Sequence, residues 1–263
     1  MGRPRVPEGP APERAVQKLR VRYAKRGRLR FSSTRDFQRA LERALRRADV
    51  PMAFSAGFHP HPKISYANAA PTGTASESEY FEISVTRRVD LDAVRTALDA
   101  ALPEGIDILQ VVEAAPGALA DRLQASDWVL AFRDVELDRL AEVAATFLAQ
   151  ERVEVTRTFK TGPRTFDVRS AVLFLGAAMS DTVTDAAPQV VPSGAGRCAI
   201  LRLVVRHTTP AVRPDDILTA LRAVADLESL TPPLVTRLAQ GPLKDATVRV
   251  ADPLAADEKA DGS

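Results

Sequence analysis

Hydrophobic and polar positions alternate along the chain in a way that predicts strands and helices in a fixed order. Every second side chain of a strand faces the core, whereas apolar residues of a helix recur at spacings of three and four. These patterns predict, in order, a strand over residues 19–32 bent at Gly27, a helix over 34–48, an extended segment over 53–68, a strand over 80–86, a helix over 91–102 and a strand over 106–113. The order β-α-β-β-α-β is that of a ferredoxin-like domain.

The second half repeats this order of elements without visible sequence identity. Its predicted elements are a strand over residues 128–135, a helix over 137–149, strands over 153–159 and 165–168 around a turn, a short helix over 171–178, a loop over 180–196, a strand over 200–206, a helix over 215–226 and a strand over 235–239. We therefore expect an α+β fold of two ferredoxin-like (βαββαβ) halves in tandem, over residues 17–116 and 126–243. Residues 1–16 and 244–263 are polar, and we expect both ends to be disordered.

The helix predicted over residues 34–48 has two different faces. Thr34 is of a residue type that caps helix N-termini. The apolar face carries Phe37, Leu41, Leu45 and Ala48. The opposite face carries Arg35, Arg39, Arg43 and Arg46. One face is therefore expected to pack on a sheet, and the other presents guanidinium groups, whose planar fork suits phosphate oxygens.

Charge is distributed unevenly, although the net charge of the 263 residues is only +2. Residues 18–47 contain 12 of the 36 Lys and Arg residues and 2 of the 34 Asp and Glu residues, a local net of +10. The preceding strand adds Arg20, Arg22, Arg28 and Arg30 to one side if the bend at Gly27 preserves the register. Such a region indicates an anionic partner, and the alternative is a solvated basic face.

Composition excludes several classes of protein. The single cysteine, Cys198, excludes an internal disulfide and cannot supply the three thiolates that an iron–sulfur cluster usually takes from one chain. No window has the roughly 18 uncharged apolar residues of a membrane span, and the N-terminus is polar and rich in proline. We therefore expect a cytoplasmic protein.

The segment 55–63, SAGFHPHPK, is the clearest candidate recognition loop. His59 and His61 point the same way in an extended chain, but a closed metal site needs about four ligands, and Cys198 and His207 are distant in sequence. Prolines stiffen a segment that presents His59, His61 and Lys63 to a phosphate or base. Phe58 and Tyr66 offer stacking surfaces for unpaired bases, although Phe58 fits a core position equally well. The short turn over residues 49–51 joins this segment to the arginine-bearing helix.

Two further segments contain side chains that are candidates for acid–base chemistry or for anion binding. Glu77 and Glu79, in the hydroxyl-rich loop 71–79, are candidate acids or bases, but no nucleophile is paired with them and solvated carboxylates are the simpler interpretation. Residues 157–169 predict a hairpin with a basic side, and Asp167 is expected to pair with Arg169 or Arg157. The alternative is an ordinary surface hairpin. The residues of this hairpin that we expect to bind an anion are Arg157, Lys160 and Arg164.

Two motifs carry a family resemblance. The first is the run LRFSSTRDFQRALERALRRADVPMAFSAGFHPHPKISYANAAPTGTASESEYFEI over residues 29–83, and the second is KTGPRTFDVR over 160–169. They resemble the radical-SAM-linked proteins, a domain of unknown function found fused to or beside B12-binding radical SAM proteins. The resemblance covers most of residues 18–240 and departs at Ser33 and Thr34, where a His-Leu or similar pair is common. The family motif falls on Arg30, Phe31, Asp36, Arg43, Arg47, Ser55, Gly57, Phe58, His59, Pro60, Lys63, Gly73, Glu79 and Tyr80.

The resemblance implies an accessory protein that presents a substrate to a partner radical SAM enzyme. It supplies no catalytic role for any motif residue, and one cysteine allows no CxxxCxxC run. We therefore expect no catalytic residue, no metal and no cofactor, and a binding module rather than an enzyme.

Together with the charge distribution, this leads us to expect binding of structured RNA, such as tRNA. The residues expected to bind it are Arg30, Arg35, Arg39, Arg43, Arg46, Arg47, Phe58, His59, His61, Lys63, Arg157, Lys160 and Arg164. One alternative is an RNA-acting enzyme that uses His59, His61 or Glu79 for acid–base chemistry. Another is a protein-interaction subunit whose basic helix meets an acidic surface.

Overall fold

The structure, a computed structural model, has an α+β architecture and describes residues 13–182, 197–244 and 248–261. The helices of these residues are α1 (Thr34–Arg47), α2 (Leu91–Ala101), α3 (Leu119–Arg122), α4 (Leu137–Leu148), α5 (Pro214–Ala225) and α6 (Ala255–Asp261). The strands are β1 (Gln17–Lys25), β2 (Ile64–Ala67), β3 (Ala75–Val85), β4 (Ile106–Glu113), β5 (Ala125–Phe132), β6 (Glu154–Phe159), β7 (Gly162–Asp167), β8 (Val172–Met179), β9 (Ala199–Arg206), β10 (Leu234–Gly241), β11 (Leu243–Lys244) and β12 (Arg249–Val250). The chain divides into two compact units.

The first unit comprises the described residues of Met1–Thr72, Glu79–Gly117 and Leu254–Ser263. Its strands lie in the order β4-β1-β3-β2, and the outer strands β4 and β2 pair antiparallel with β1 and β3. Helices α1 and α2 bury their apolar faces in one core with the strands. The largest members of this core include Phe37, Leu41, Phe81, Ile83 and Leu98.

Two local features at the start of α1 differ from the sequence prediction. The strand predicted over residues 19–32 ends at Lys25, because Gly27 adopts φ +53° and begins a 3-10 helix over Gly27–Phe31. Positive φ is accessible to glycine at little cost, so the chain turns here instead of continuing as a strand. The N-cap of α1 is Ser33, one residue before the predicted Thr34.

The second unit comprises Gly73–Ser78 and the described residues of Ala118–Pro253. Its strands lie in the order β3-β10-β5-β9-β8; Ala75 and Ser76 of β3 pair parallel with β10, and the other pairs are antiparallel. Helices α4 and α5 pack in one core with these strands, and the core includes Trp128, Phe132, Phe147, Leu203 and Leu221.

The middle of the second unit contains one confirmed prediction and one wrong one. The predicted hairpin is confirmed: β6 and β7 pair antiparallel as a separate two-stranded sheet. The short helix predicted over residues 171–178 is wrong, because this segment is strand β8 and pairs with β9 from Val172 to Met179. Pairing with a strand 20 or more residues away overrides a local pattern too short to distinguish helix from strand. Residues 183–196 of the predicted loop lie outside the described residues.

The C-terminal segment forms helix α6, where composition predicts a disordered tail. Leu254 and Asp257 are fully buried in the first unit. The Asp257 carboxylate bonds to a guanidinium of β1, and this contact between distant parts of the chain leaves no local signal in the sequence.

Candidate nucleic-acid interface

The arginine side chains of α1 form an exposed row, which we call the arginine row. Its members are Arg35, Arg39, Arg43 and Arg46, and all four are exposed. The opposite face of the helix is buried as predicted, since Phe37, Leu41 and Leu45 are at most 6% exposed, although Ala48 is only partly buried. The Phe37 ring stacks on Tyr23 of β1 with a centroid distance of 4.4 Å. This packing fixes the orientation of α1 and therefore the outward direction of the arginine row.

The positive charge of the arginine row is not neutralised within the described part of the chain. No member makes an ion pair within 4.0 Å with a described residue. Helix α1 contains two acids, Asp36 and Glu42. Asp36 is engaged in the N-cap: its carboxylate accepts hydrogen bonds from the Ser33 hydroxyl at 2.6 Å and the Ser33 backbone at 3.2 Å. These bonds, with smaller contributions from Arg39 and Arg35, lower the pKa of Asp36. The row therefore presents four guanidinium groups to solvent.

The two other predicted arginines of this region make contacts with the protein. Arg47 is exposed, and its Nη2 donates to the carbonyl of Ala101 at the end of α2. Arg30 is partly buried, and its guanidinium lies over the Phe31 ring at 4.7 Å from the centroid. The buried Nε of Arg30 has no hydrogen-bond partner among the described residues.

The strand before α1 does not add a basic side to this surface. Arg20 is fully buried, with its Nε 2.9 Å from Glu82 and its Nη1 2.6 Å from Asp257. Arg28 and Arg30 lie in the 3-10 helix and not on β1. The expectation of four arginines on one side of a strand is therefore wrong, because the bend at Gly27 ends the strand before the last two.

Residues 53–63 form a narrow projecting loop, which we call the 53–63 arm. Its two sides are joined by backbone hydrogen bonds of 2.8 Å from Lys63 to Ala53 and from Ser55 to His61. The Ser55 hydroxyl also accepts the His61 amide at 3.0 Å. Gly57 adopts φ +127°, a region open to glycine alone, and this lets the chain reverse at the tip.

The 53–63 arm exposes every residue that the sequence assigned to recognition. His59, His61 and Lys63 are exposed, and Phe58 is 60% exposed, so Phe58 is not a core residue. Tyr66, the other candidate stacking residue, lies outside the arm and is partly buried, with its ring edge-on to Phe37 at 6.1 Å. Burial, with a contribution from Glu42, raises the pKa of Tyr66 to about 12. Tyr66 therefore packs against the core.

The predicted basic residues of the second unit lie on the β6–β7 hairpin. Lys160 and Arg164 are exposed near its turn. Arg157 is partly buried: its Nη1 lies 2.5 Å from Asp216, and its guanidinium lies over the rings of Phe159 and Phe166. Arg157 therefore holds the hairpin to α5, in contrast to the two residues at the turn.

Two carboxylates contact the hairpin region, and one of them, Asp167, differs from the sequence interpretation. The Asp167 carboxylate does not pair with the side chain of Arg169 or Arg157; it accepts the backbone amides of Val153, Arg169 and Ser170. Burial raises the pKa of Asp167, but the Ser170 side chain and these amides together lower it below its ordinary value. Asp216 is buried beside Arg157, and burial raises the pKa of Asp216 despite that guanidinium.

Sequence reasoning missed a group of buried polar residues in the first unit. Glu79 is 1% exposed and accepts the Ala70 amide at 2.9 Å, and Lys25 is 5% exposed. Together with Tyr66 and Tyr80 they line a cavity of about 20 Å³, room for about one water molecule. Glu77 is also buried, so the interpretation of both carboxylates as solvated loop residues is wrong. The hydroxyl-rich composition of residues 71–79 predicted a loop, but β3 begins at Ala75 and therefore contains both glutamates.

The second unit contains a hydroxyl–imidazole pair, a buried Ser126 and a partly buried His207, that sequence spacing does not predict. The Ser126 hydroxyl lies 2.7 Å from His207 Nε2, and His207 Nδ1 lies 2.7 Å from the Leu123 carbonyl oxygen. Ser126 is 1% exposed, so its hydroxyl is not accessible to a substrate in this structure. Among the described residues, no group of three or more His, Cys, Asp and Glu side chains could hold a metal ion.

Comparison with protein families identifies the family of the chain. A family model described as "Uncharacterized protein conserved in bacteria (DUF2344)" matches residues 18–214, which is more than half of the chain. No curated protein matches the sequence. The matched residues include α1, the 53–63 arm and the β6–β7 hairpin. Within the described part of the chain, no helix is long and apolar enough to cross a membrane.

Proposed function

The chain belongs to the DUF2344 family of uncharacterized proteins conserved in bacteria, and from this premise we propose that it is an accessory protein that binds structured RNA. The arginine row carries this proposal. Four guanidinium groups face solvent on one helix, without an acidic partner in the described residues. Phosphate neutralisation by such groups supplies most of the affinity of proteins for nucleic acid.

The 53–63 arm extends the proposed surface. It follows α1 directly through a tight turn, in which Val50 donates to the Leu45 carbonyl at 3.1 Å and Met52 to Val50 at 2.8 Å. We propose that the arginine row and the arm form one anion-binding surface. In this surface the row supplies affinity, and His59, His61 and Lys63 orient the ligand.

The proposed architecture is two ferredoxin-like units in tandem. The strand order β4-β1-β3-β2 in the first unit and β10-β5-β9-β8 in the second supports it, since both follow the pattern 4-1-3-2 of a split βαβ plan. Domains of this plan host many functions, including RNA binding, so the plan is compatible with the proposal and does not carry it.

The proposed partner is a radical SAM enzyme acting in the cytoplasm. This part of the proposal rests on the resemblance of residues 29–83 and 160–169 to radical-SAM-linked proteins. In this role the chain grips the RNA and presents it, and the partner supplies the chemistry. Co-purification of a radical SAM enzyme with the tagged chain from its own host is the corresponding test.

RNA titrations at several salt concentrations test the binding function. The wild type is compared with the triple variant Arg39→Ala/Arg43→Ala/Arg46→Ala, using a synthetic RNA stem-loop. We expect weaker binding, and a slope of log K against log salt that is shallower by about two to three units, because each lost phosphate contact contributes slightly less than one.

A second triple variant provides the matched control. Arg133→Ala/Arg206→Ala/Arg222→Ala removes the same charge from exposed positions of the second unit. It should bind with nearly the slope of the wild type if the arginine row is the site. Equal affinity and slope for both triple variants and the wild type would contradict the RNA-binding proposal and favour a protein-interaction subunit.

A further inference from the structure

Exposed phenylalanine side chains flank the arginine row in the first unit. Phe31 and Phe58 are each 60% exposed, and Phe54 is 43% exposed. Phe31 ends the 3-10 helix just before α1, and the other two lie in the 53–63 arm just after it. By contrast, Phe37 and Phe81 of the same unit are buried in its core. The exposed rings are therefore confined to the segments that bound α1.

The backbones that carry Phe31 and Phe58 are held in place. Ser32 donates its amide and its hydroxyl to the Leu29 carbonyl at 2.9 and 2.6 Å, which closes the 3-10 turn containing Phe31. The bonds between Ser55 and His61 close the loop that presents Phe58. Two rings of this kind, displayed on closed turns beside cationic side chains, offer flat faces that are already positioned for a planar ligand.

The chemistry around these rings selects the ligand. The Arg30 guanidinium already covers one side of the Phe31 ring at 4.7 Å, and α1, which carries the arginine row, lies between the two aromatic positions along the chain. A ligand that matches both features carries repeated anionic groups and flat, apolar faces. A single-stranded nucleic acid has both, whereas the faces of bases in a duplex are covered by their neighbours.

We propose that Phe31 and Phe58 are stacking platforms for unpaired bases at the two ends of the arginine row. The preferred ligand is then a single-stranded stretch or loop of RNA, with its phosphates along α1. The helix has 14 residues and is about 21 Å long, which is enough for several nucleotides between the platforms. This inference rests on the proposed function and specifies which part of an RNA the protein reads.

The test compares Phe31→Leu and Phe58→Leu with the wild type, since leucine keeps an apolar side chain and removes the aromatic face. The probes are a single-stranded RNA oligonucleotide and a fully paired RNA duplex of the same length. We expect each variant to bind the single strand roughly tenfold more weakly, because base stacking contributes strongly to single-strand affinity. Duplex binding and the salt slope should not change, because no phosphate contact is removed.

Phe174→Leu is the matched control, because Phe174 is a 44% exposed ring on β8 of the second unit. It should bind both RNAs as the wild type does. As an independent measurement, photo-crosslinking of the wild type with a 5-bromouridine-substituted single strand should attach the RNA to peptides containing Phe31 or Phe58. This readout does not depend on any variant being folded.

The outcomes separate this inference from the proposed function. If the arginine-row variant loses binding while both phenylalanine variants bind the single strand normally, the stacking inference is wrong and the RNA proposal stands. If the arginine-row variant also binds normally, both are wrong. Loss of preference for the single strand in the phenylalanine variants, with the salt slope retained, supports the inference.

Discussion

Polar side chains of the core and its margins have partners far away in sequence, and the partly buried His207 is a clear example. A carbonyl oxygen can only accept, so His207 Nδ1 donates to Leu123, and the neutral ring then accepts the Ser126 hydroxyl at Nε2. Burial, and to a smaller extent Arg237, lowers the pKa of His207 below its ordinary value. The folded protein therefore favours the neutral imidazole more than the unfolded chain does.

The pH dependence of stability follows from this pKa. As the pH falls below 6.5, the unfolded chain protonates His207 before the folded chain does, so the free energy of unfolding decreases. We expect His207→Gln to flatten this decrease in urea unfolding measured from neutral to mildly acidic pH. Ser126→Ala keeps the imidazole and should keep the slope, although its overall stability is lower. Identical slopes for the wild type and His207→Gln would contradict the assignment.

At the scale of single elements, α1 shows how far a local pattern can be trusted. The spacing of Phe37, Leu41 and Leu45 predicted the buried face correctly, because a helix repeats every 3.6 residues whatever surrounds it. The N-cap was displaced by one residue, since Ser33 and Thr34 are both good capping types. The backbone direction at the end of the 3-10 helix decides whether the Ser33 or the Thr34 hydroxyl reaches the Asp36 amide, and here it is that of Ser33.

The cap can be tested by two neighbouring substitutions. Ser33→Ala removes the side chain that accepts the Asp36 amide at 3.2 Å and donates to the Asp36 carboxylate. We expect it to lower the free energy of unfolding by about 1 kcal/mol. Thr34→Ala, at the first helical position, should change it by less than about 0.5 kcal/mol. Urea unfolding of both variants measures the difference, and a larger loss for Thr34→Ala would show that the cap is misassigned.

At the scale of the whole molecule, the first unit is completed by the C-terminal end of the chain. Asp257 of α6 is 237 residues from Arg20, yet the two form a fully buried ion pair of 2.6 Å. Asp257 also accepts the Ala115 amide at 2.7 Å, and Gly117 accepts a bond from Arg20 Nη2. A helix of seven residues thereby neutralises a guanidinium in the middle of β1.

Removal of this carboxylate should destabilise the protein strongly. Asp257→Ala leaves the buried Arg20 with Glu82 as its remaining acidic partner, and we expect a loss of about 3 kcal/mol. Arg88→Ala, which breaks the exposed pair with Glu113, is the control and should cost less than about 1 kcal/mol. The free energy of unfolding in urea measures both. A loss for Asp257→Ala no larger than the control would show that α6 does not hold Arg20.

The site was predictable where it depends on periodicity and charge. The arginine row and its orientation followed from positions within α1. The prolines predicted a stiff, extended segment over residues 53–68, whereas residues 53–63 reverse at Gly57 and bond back on themselves. The exposure of Phe58 did not follow, because an apolar residue in a loop fits a core or a surface equally well. Exposure is decided by whether other elements cover the ring, and in the described structure none covers it fully.

The sequence by itself determined the α+β class, most elements of the first unit, the β6–β7 hairpin and the amphipathic α1, because these depend on interactions between residues close in the chain. Only the tertiary structure decided that β8 is a strand, that Arg20, Glu79 and Asp257 are buried, and that Arg157 pairs with Asp216. Each of these depends on a partner far away in the chain. A charged residue can be buried only where the fold places an opposite charge or a hydrogen-bond partner beside it, and the local sequence pattern does not show that partner.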